Sequence, residues 1–471
     1  MVISRREPPR RAWGHAPMDR TGTGPGQLDR AHLVDLDGSG MLGLARVLVQ
    51  RGCVVTGSVR RPGPSMDRLR RLGVRVHSGH GRGSPLRSAR LLVYGPGVPT
   101  EDPERLRAAR LGVEQASCPD VLARLIGRGV GIAAVGGRRA GSAAAMVAWT
   151  LAQAGLDPTL VLDASTPEVG GTGRLGTGPH VVIDAAGLPE DAVSGVPIVL
   201  VLDDGDAGYP RPLALRRRAE AAPPGGYVLG LADEGDDPAP RFGAAPGVDV
   251  ERFSLGPGHD WWGADVREDR GCHRFRAFHR GRFVVEVRLQ APGRHHVVGA
   301  LAAVAICERV GVASRVIKGA LEEFAGVSRG FESRGSFRGV TLVDDEAPGP
   351  RCVGEALGVA RQVYGRRRLV AAYRPGPDGL GSWATVAEFA AADLVVVVDE
   401  EGPTAGEGAR ALAEALSEDG SAATRAPGLD GAIRELDRLL EPGDVLVTLG
   451  TGDVGTIADA FLRRLSRDRH A

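Results

Sequence analysis

A buried-strand pattern, Val130 to Val135, runs directly into Gly136-Gly137-Arg138-Arg139-Ala140-Gly141-Ser142 and then into a helix-prone stretch, Ala143 to Ala154. A strand joined to a helix through a glycine turn has few ways to fold. The helix must lie back across the sheet, and the backbone N–H groups of its first turn form a seat for an anion. The spacing is that of an ATP phosphate loop, where glycines let the backbone close on the phosphates and a lysine neutralises the β and γ oxygens. That lysine is missing. The chain holds one lysine in 471 residues, Lys318, so the cradle persists while the loop's only cations are Arg138 and Arg139.

The same unit recurs along the chain. His32 to Leu36, Asp37-Gly38-Ser39-Gly40, Met41 to Gln50 and Cys53 to Gly57 read as strand, glycine turn, helix and strand, a βαβ opening. Strand-like runs follow at Leu91 to Tyr94, Thr159 to Leu162, Val181 to Asp184 and Ile198 to Leu202, with helical segments between several of them. Strands alternating with helices predict α/β units with parallel sheets covered on both faces. Arg274 to His279 and Phe283 to Leu289 read as a hairpin around Arg280-Gly281, and a helix is expected from His296 to Val310. The last third starts another α/β unit at Val340 to Val343, passes through Leu369 to Ala372 and Leu394 to Val398, and closes with Val445 to Leu449 and a final helix whose core stripe is Ile457, Ala460, Phe461 and Leu465.

Length and charge limit the functional classes. A chain of 471 residues exceeds one core. The net charge of +1 offers no general attraction to nucleic acid, and no run of 18 apolar residues could cross a bilayer. Five separated cysteines suggest neither a disulfide framework nor a zinc site, which fits a reducing cytoplasm. Residues 1–30 carry six arginines with Pro, Gly and Thr and no apolar core, so a disordered extension is expected there rather than a secretory signal.

Taken in order, Gly38-Ser39-Gly40-Met41-Leu42-Gly43, Asp102-Pro103-Glu104, Pro292-Gly293-Arg294-His295, Arg329-Gly330-Phe331-Glu332, Val343-Asp344-Asp345, Ala405-Gly406-Glu407 and Gly450-Thr451-Gly452-Asp453 resemble the Mur ligases. Within that family they are most similar to the members that join L-alanine to UDP-N-acetylmuramate. The resemblance implies three domains: a Rossmann-like UDP-sugar domain over 31–127, a central P-loop-type α/β ATPase domain over 128–332, and a Rossmann-like domain over 333–471 that presents the amino acid. It also implies an acyl-phosphate route, in which ATP phosphorylates a carboxylate that an amine then attacks.

The resemblance further assigns site residues. Gly136, Gly137, Arg138, Arg139, Gly141, Ser142 and His295 fall at nucleotide positions, with Ala140 where the family carries lysine. Gly38, Ser39 and Gly40 fall at the UDP-sugar turn, flanked by Asp35 and Asp37 where the family has glycines. We expect those two to be solvated carboxylates that weaken diphosphate binding, since like charges about 5 Å apart repel by roughly 3 kcal/mol at an effective dielectric near 20. Asp184 and Asp203 are the remaining magnesium candidates, read here as surface acids at strand ends that would hold an ion only with ATP present. Asp344, Asp345 and Arg374 mark the C-terminal site, from which the family's histidines are absent. These losses favour a homologue linked to peptidoglycan precursor synthesis, impaired or non-catalytic, binding UDP-N-acetylmuramate or a cell-wall synthesis protein. The alternative is an active ligase using ATP and Mg2+ through rewired phosphate and metal contacts.

Overall fold

The computed structural model describes residues 29–468 apart from 39, 61–63, 80, 82–85, 128, 167, 186–187, 189–194, 203–219, 233–245, 348, 377–382, 400–406 and 451. The extension expected over 1–30, Ser39, Asp203, Thr451 and the Ala405-Gly406 pair therefore fall wholly or largely outside the described residues.

Three sheets organise the chain. In the first, β1 (Arg30–Val34), β2 (Val54–Val59), β3 (Arg75–Ser78), β4 (Leu91–Tyr94) and β5 (Glu114–Ser117) run parallel in the order β3-β2-β1-β4-β5. Helices α1 (Met41–Gln50), α2 (Pro64–Arg71), α3 (Pro103–Arg110) and α4 (Cys118–Ile126) connect them. The strand order reverses between β1 and β4, which opens a crevice at the strands' C-terminal ends. The Asp102-Pro103-Glu104 segment starts α3: Asp102 caps it by accepting from the Glu104 amide at 2.9 Å, and the buried Glu104 accepts from Ser58 Oγ at 2.5 Å.

The second sheet is built on β6 (Val130–Val135), β7 (Thr159–Val161), β8 (Gly173–Arg174), β9 (His180–Asp184), β10 (Ile198–Val201), β11 (Tyr227–Leu231), β12 (Asp249–Ser254), β13 (Trp261–Asp269), β14 (Cys272–His279) and β15 (Arg282–Arg288), with β6 between β9 and β10. Helix α5 (Gly137–Gln153) follows β6 without a break, so it begins inside the glycine loop rather than at Ala143. It packs against α6 (Arg294–Arg309), where Gly299 lets the backbones approach: a Cβ there would lie 3.6 Å from Ala143 Cα. The hairpin expected around Arg280-Gly281 is β14–β15. Beside it the buried Glu251 accepts from Tyr227 Oη at 2.8 Å, Trp261 Nε1 at 2.7 Å and His279 Nε2 at 3.0 Å, tying four strands together. Helix α7 (Ser314–Glu323) completes this unit.

The third sheet has the order β16-β17-β21-β18-β19-β20, with β16 (Glu332–Phe337), β17 (Val340–Asp345), β18 (Leu369–Arg374), β19 (Leu394–Val398), β20 (Ala423–Ala426) and β21 (Val445–Gly450). Helices α8 (Pro350–Tyr364), α9 (Glu407–Glu418), α10 (Gly428–Leu439) and α11 (Thr456–Asp468) cover it. In α11, Ile457 and Phe461 are buried as the stripe requires, but their companion is Ala458; Ala460 is only half-buried, because the helix turns its 457–458–461 face inward. Side chains of the last turn, Leu465 included, lie outside the described set.

Two joints lock the units together. Helix α1 of the first unit lies on β7 and β8 of the second, and a Cβ on Gly43 would sit 2.7 Å from the Thr172 carbonyl oxygen. Arg46 donates to the Gly170 carbonyl at 2.7 Å, and Gln50 Oε1 accepts from the Leu175 amide at 2.6 Å. On the other side α8 of the third unit meets the second through Glu355, Val359 and Val363, spaced four residues apart and therefore on one helix face.

Candidate functional site

The glycine loop between β6 and α5 is held from three directions. Gly136 has φ 102°, and a Cβ on it would overlap the Leu202 carbonyl oxygen outright, so the residue is fixed by backbone packing. Ala140, at the position of the expected lysine, is fully buried, and Ser142 is buried as well. Asp184, read from sequence as a surface acid, is instead buried at the end of β9; its Oδ2 lies 2.7 Å from where a Cβ on Gly141 would be. The reason is the parallel register of β9 beside β6, which delivers the strand's last residue under the first turns of α5. Arg139 does not project to solvent. Its guanidinium meets the Glu355 carboxylate of α8 at 2.9 Å, both side chains mostly buried, with Arg351 3.6 Å from the same carboxylate.

His295 stands in the first turn of α6, its ring 4.1 Å from that of His296 and packed against Gly293, whose φ of 105° places the backbone where no side chain fits. A Cβ on Gly293 would also lie 3.2 Å from Val359 Cγ2, so α8 gathers the phosphate-loop arginine and the His295 turn on one side.

The first glycine turn is also filled. Gly40, φ 73°, precedes α1, and its amide N–H donates to the Asp163 carboxylate, which comes from the segment after β7 in the neighbouring unit. Asp35 is not solvated as expected. It is buried with φ 68°, and Arg60 Nε reaches its carboxylate at 3.2 Å while Arg60 also donates to the Gly97 carbonyl at 3.0 Å. The short Asp side chain tolerates the left-handed backbone, and β2, paired with β1, delivers Arg60 just past its end. Asp37 is exposed.

At the third sheet, Asp344, Asp345 and Arg374 lie at the C-terminal strand ends, and each is engaged. Asp344 accepts from Thr448 Oγ1 at 2.7 Å and faces Arg329 Nε at 3.2 Å, while Arg329 also donates to the Gly450 and Gly452 carbonyls. Burial pushes the Asp344 carboxyl above its ordinary range despite Arg329. Asp345 accepts from the Phe331 and Ala347 amides at 2.8 and 2.9 Å, and Arg374 pairs with Asp453. Arg329 and Phe331, φ 58° and 60°, make a sharp entry into the third unit that these carboxylates brace. Among the described residues no group of three His, Cys, Asp or Glu is arranged to hold a metal ion.

The chain matches two family models, "Mur ligase family, catalytic domain" over residues 30–129 and "Mur ligase, glutamate ligase domain" over 331–452. It is 33% identical to UDP-N-acetylmuramate–L-alanine ligase of Acidithiobacillus ferrooxidans, covering 91% of this chain and 96% of the relative. The chain belongs to the Mur ligase family. The enzyme of the same name from Nitratidesulfovibrio vulgaris is 31% identical over 92% of this chain and 98% of its own length. Among solved Mur ligase structures, that of UDP-N-acetylmuramate–alanine ligase from Thermotoga maritima superposes with a TM-score of 0.79 at 22% identity, covering 93% of this chain and 99% of that one. The murein peptide ligase of Psychrobacter arcticus gives 0.69 at 19% identity over 92% and 98%. The expected three-unit α/β architecture is thus that of the Mur ligases, and the chain is a homologue of enzymes of peptidoglycan synthesis.

What sequence reasoning missed are Asp163 and Glu355. Each meets its partner across 123 or 216 residues, and neither sits in a motif.

Proposed function

We propose that this chain is a Mur-ligase homologue of peptidoglycan precursor metabolism that does not carry out ATP-driven ligation and acts by binding or regulation. The observation that carries this reading is the Arg139–Glu355 pair: the loop cation whose side chain is described is neutralised by a carboxylate of the third unit instead of awaiting a phosphate. Three further features support it. Position 140 is a fully buried alanine, position 141 offers no hydroxyl, and the Asp184 carboxylate fills the space beside Gly141. A phosphoryl group in transfer needs cations and a metal around its oxygens; Arg139 is already paired with Glu355, and the Asp184 carboxylate beside Gly141 repels the phosphate oxygens themselves. The described residues of this loop do not fit magnesium-ATP. Gly136, Gly137, Arg138, Arg139, Gly141, Ser142 and His295 are then vestigial, as are Gly38 to Gly40, and Asp344, Asp345 and Arg374 serve the fold. A cytoplasmic place of action belongs to the same proposal; none of the five cysteines forms a disulfide, and no helix among the described residues is long and apolar enough to cross a membrane.

The test is inorganic phosphate release by the full chain with magnesium-ATP, L-alanine and UDP-N-acetylmuramate. We expect no release above the level seen without alanine. Release that requires both alanine and the muramyl nucleotide would establish the second reading, an active ligase in which arginine replaces lysine. Similarity to alanine ligases over nine-tenths of the chain favours that second reading.

A further inference from the structure

The first unit holds an open cavity of about 560 Å3 at the end of its sheet opposite the crevice. It lies between the 3-10 turn Leu86–Ser88, which leads into β4, and the turn that joins α3 to β5. About three residues per turn bring Arg87 and Arg90 to the same side, where both line the cavity. Buried Leu86 pins that turn beside Leu92 and Ala108. Across the cavity the end of α3 closes on itself: the Val113 amide donates to the Ala108 carbonyl at 3.0 Å, and the Gly112 amide, φ 68°, donates to that of Ala109 at 3.2 Å. Those amides are thereby satisfied, and the wall they leave is apolar, made by Val113 and by Leu111, which is 41% exposed. The charges of the lining are not balanced. Glu114, its one carboxylate, pairs with Arg124 at 2.8 Å. Arg90 meets Asp29 only at 3.9 Å, with both side chains largely exposed, and Arg87 has no ion pair among the described residues.

We propose that this cavity is a second binding site of the first unit, for a small organic anion whose oxyanion head meets Arg87 and Arg90 and whose apolar body lies on Leu111 and Val113. Its volume falls within the range of small-molecule sites, roughly 300–1,000 Å3. Guanidiniums give an oxyanion charge-assisted hydrogen bonds, and the leucine–valine wall gains by covering apolar surface. Strand β4 is four residues long, so about 13 Å separates the cavity from the crevice at the strands' other end. A ligand here therefore does not compete with one there. The inference goes beyond the non-catalytic reading and does not rest on it.

The experiment is titration calorimetry of the full chain with phenyl phosphate, benzoate, inorganic phosphate and phenol. Wild type is compared with R87A/R90A, with L111S, and with R70A, which removes an arginine of α2 outside the cavity; melting temperatures establish folding. The expected result is saturable heat with phenyl phosphate or benzoate at millimolar concentration, weakened about tenfold or more in R87A/R90A, about threefold in L111S, and unchanged in R70A. Inorganic phosphate and phenol each lack half of the ligand and should bind about tenfold more weakly or not at all. The tighter of the two organic anions identifies the head as a phosphomonoester or a carboxylate. No saturable heat from either organic anion would overturn the proposal, and so would binding that a folded R87A/R90A leaves intact, since the probe then sits elsewhere. Inorganic phosphate binding as tightly as phenyl phosphate would remove the apolar body and overturn it equally. Phosphate release in the ligase assay would sink the non-catalytic reading and leave this site standing.

Discussion

The turns that open α1 and α5 are the same piece of chain architecture, a glycine bend between a buried strand and a helix, yet their glycines persist for different reasons. At α5, Gly136 is required sterically: its backbone lies against the Leu202 carbonyl with no room for any side chain, and Gly141 faces Asp184. At α1, Gly38 has looser surroundings, 3.1 Å from the Asp35 carbonyl at the site of a Cβ, and the Gly40 amide donates to Asp163 of the neighbouring unit. At α5 the glycine is therefore required by the strand–helix junction itself, whatever the turn binds. In both places a carboxylate from elsewhere in the chain lies against the turn, Asp163 on the Gly40 amide and Asp184 beside Gly141.

The largest effect that separates the two turns is steric. Gly136→Ala combines a left-handed backbone with overlap of a carbonyl and is expected to lower stability by about 3 kcal/mol or more, whereas Gly38→Ala, with φ in the ordinary range, should stay within about 1 kcal/mol. Thermal denaturation followed by circular dichroism checks both. Equal losses would erase the distinction and return Gly136 to the status of a ligand-binding glycine.

Internal carboxylates at the turns are sharpened by contrast with Glu251, which the fold alone requires. Burial pushes its carboxyl upward, but hydrogen bonds from His279, Tyr227 and Trp261 outweigh that and hold it at about 2. A depressed carboxylate contributes stability above its unfolded value and loses it as pH falls through the folded one. Glu251→Gln should cost roughly 2 kcal/mol at neutral pH, with the gap from wild type closing between pH 4.5 and 2. Urea denaturation across that window measures it. Asp163→Asn should show little such gap, because an exposed acceptor at a helix end contributes less; a gap as large as that of Glu251 would make Asp163 structural.

Much of this fold was legible because interior parallel strands are nearly continuous apolar runs. Leu91–Tyr94 and Leu394–Val398 have the bounds the sequence suggests. Three polar edge strands were not legible. Arg75–Ser78, Glu114–Ser117 and Ala423–Ala426 carry polar residues and pair on one side only, so neither periodicity nor a hydrophobic run marks them. At the candidate site the phosphate-loop bend and its lost lysine were visible locally. Asp184, Asp35, Asp163 and Glu355 were misread or unseen because burial and ion pairing arise from where other segments arrive. Asp184 alone left a signal, as the last residue of a buried-strand run facing a helix that opens with glycine.

The smallest predicted effect bears most directly on how the α5 turn is closed. Arg139 and Glu355 are 19% and 31% exposed, so their attraction exceeds that of a solvated pair but remains subject to screening. A double-mutant cycle with Arg139→Ala and Glu355→Ala, read by denaturation, should give a coupling of about 0.5–1 kcal/mol at low ionic strength. It should shrink in 1 M salt, where the screening length falls to roughly 3 Å. Glu355 keeps Arg351 when Arg139 is removed, so the single Arg139 variant should be the milder of the two. A coupling of zero would mean that the loop arginine is not committed to the third unit. The α5 turn would then present an unclaimed cation to a phosphate, and the contrast with the self-filled α1 turn would stand for two different functions.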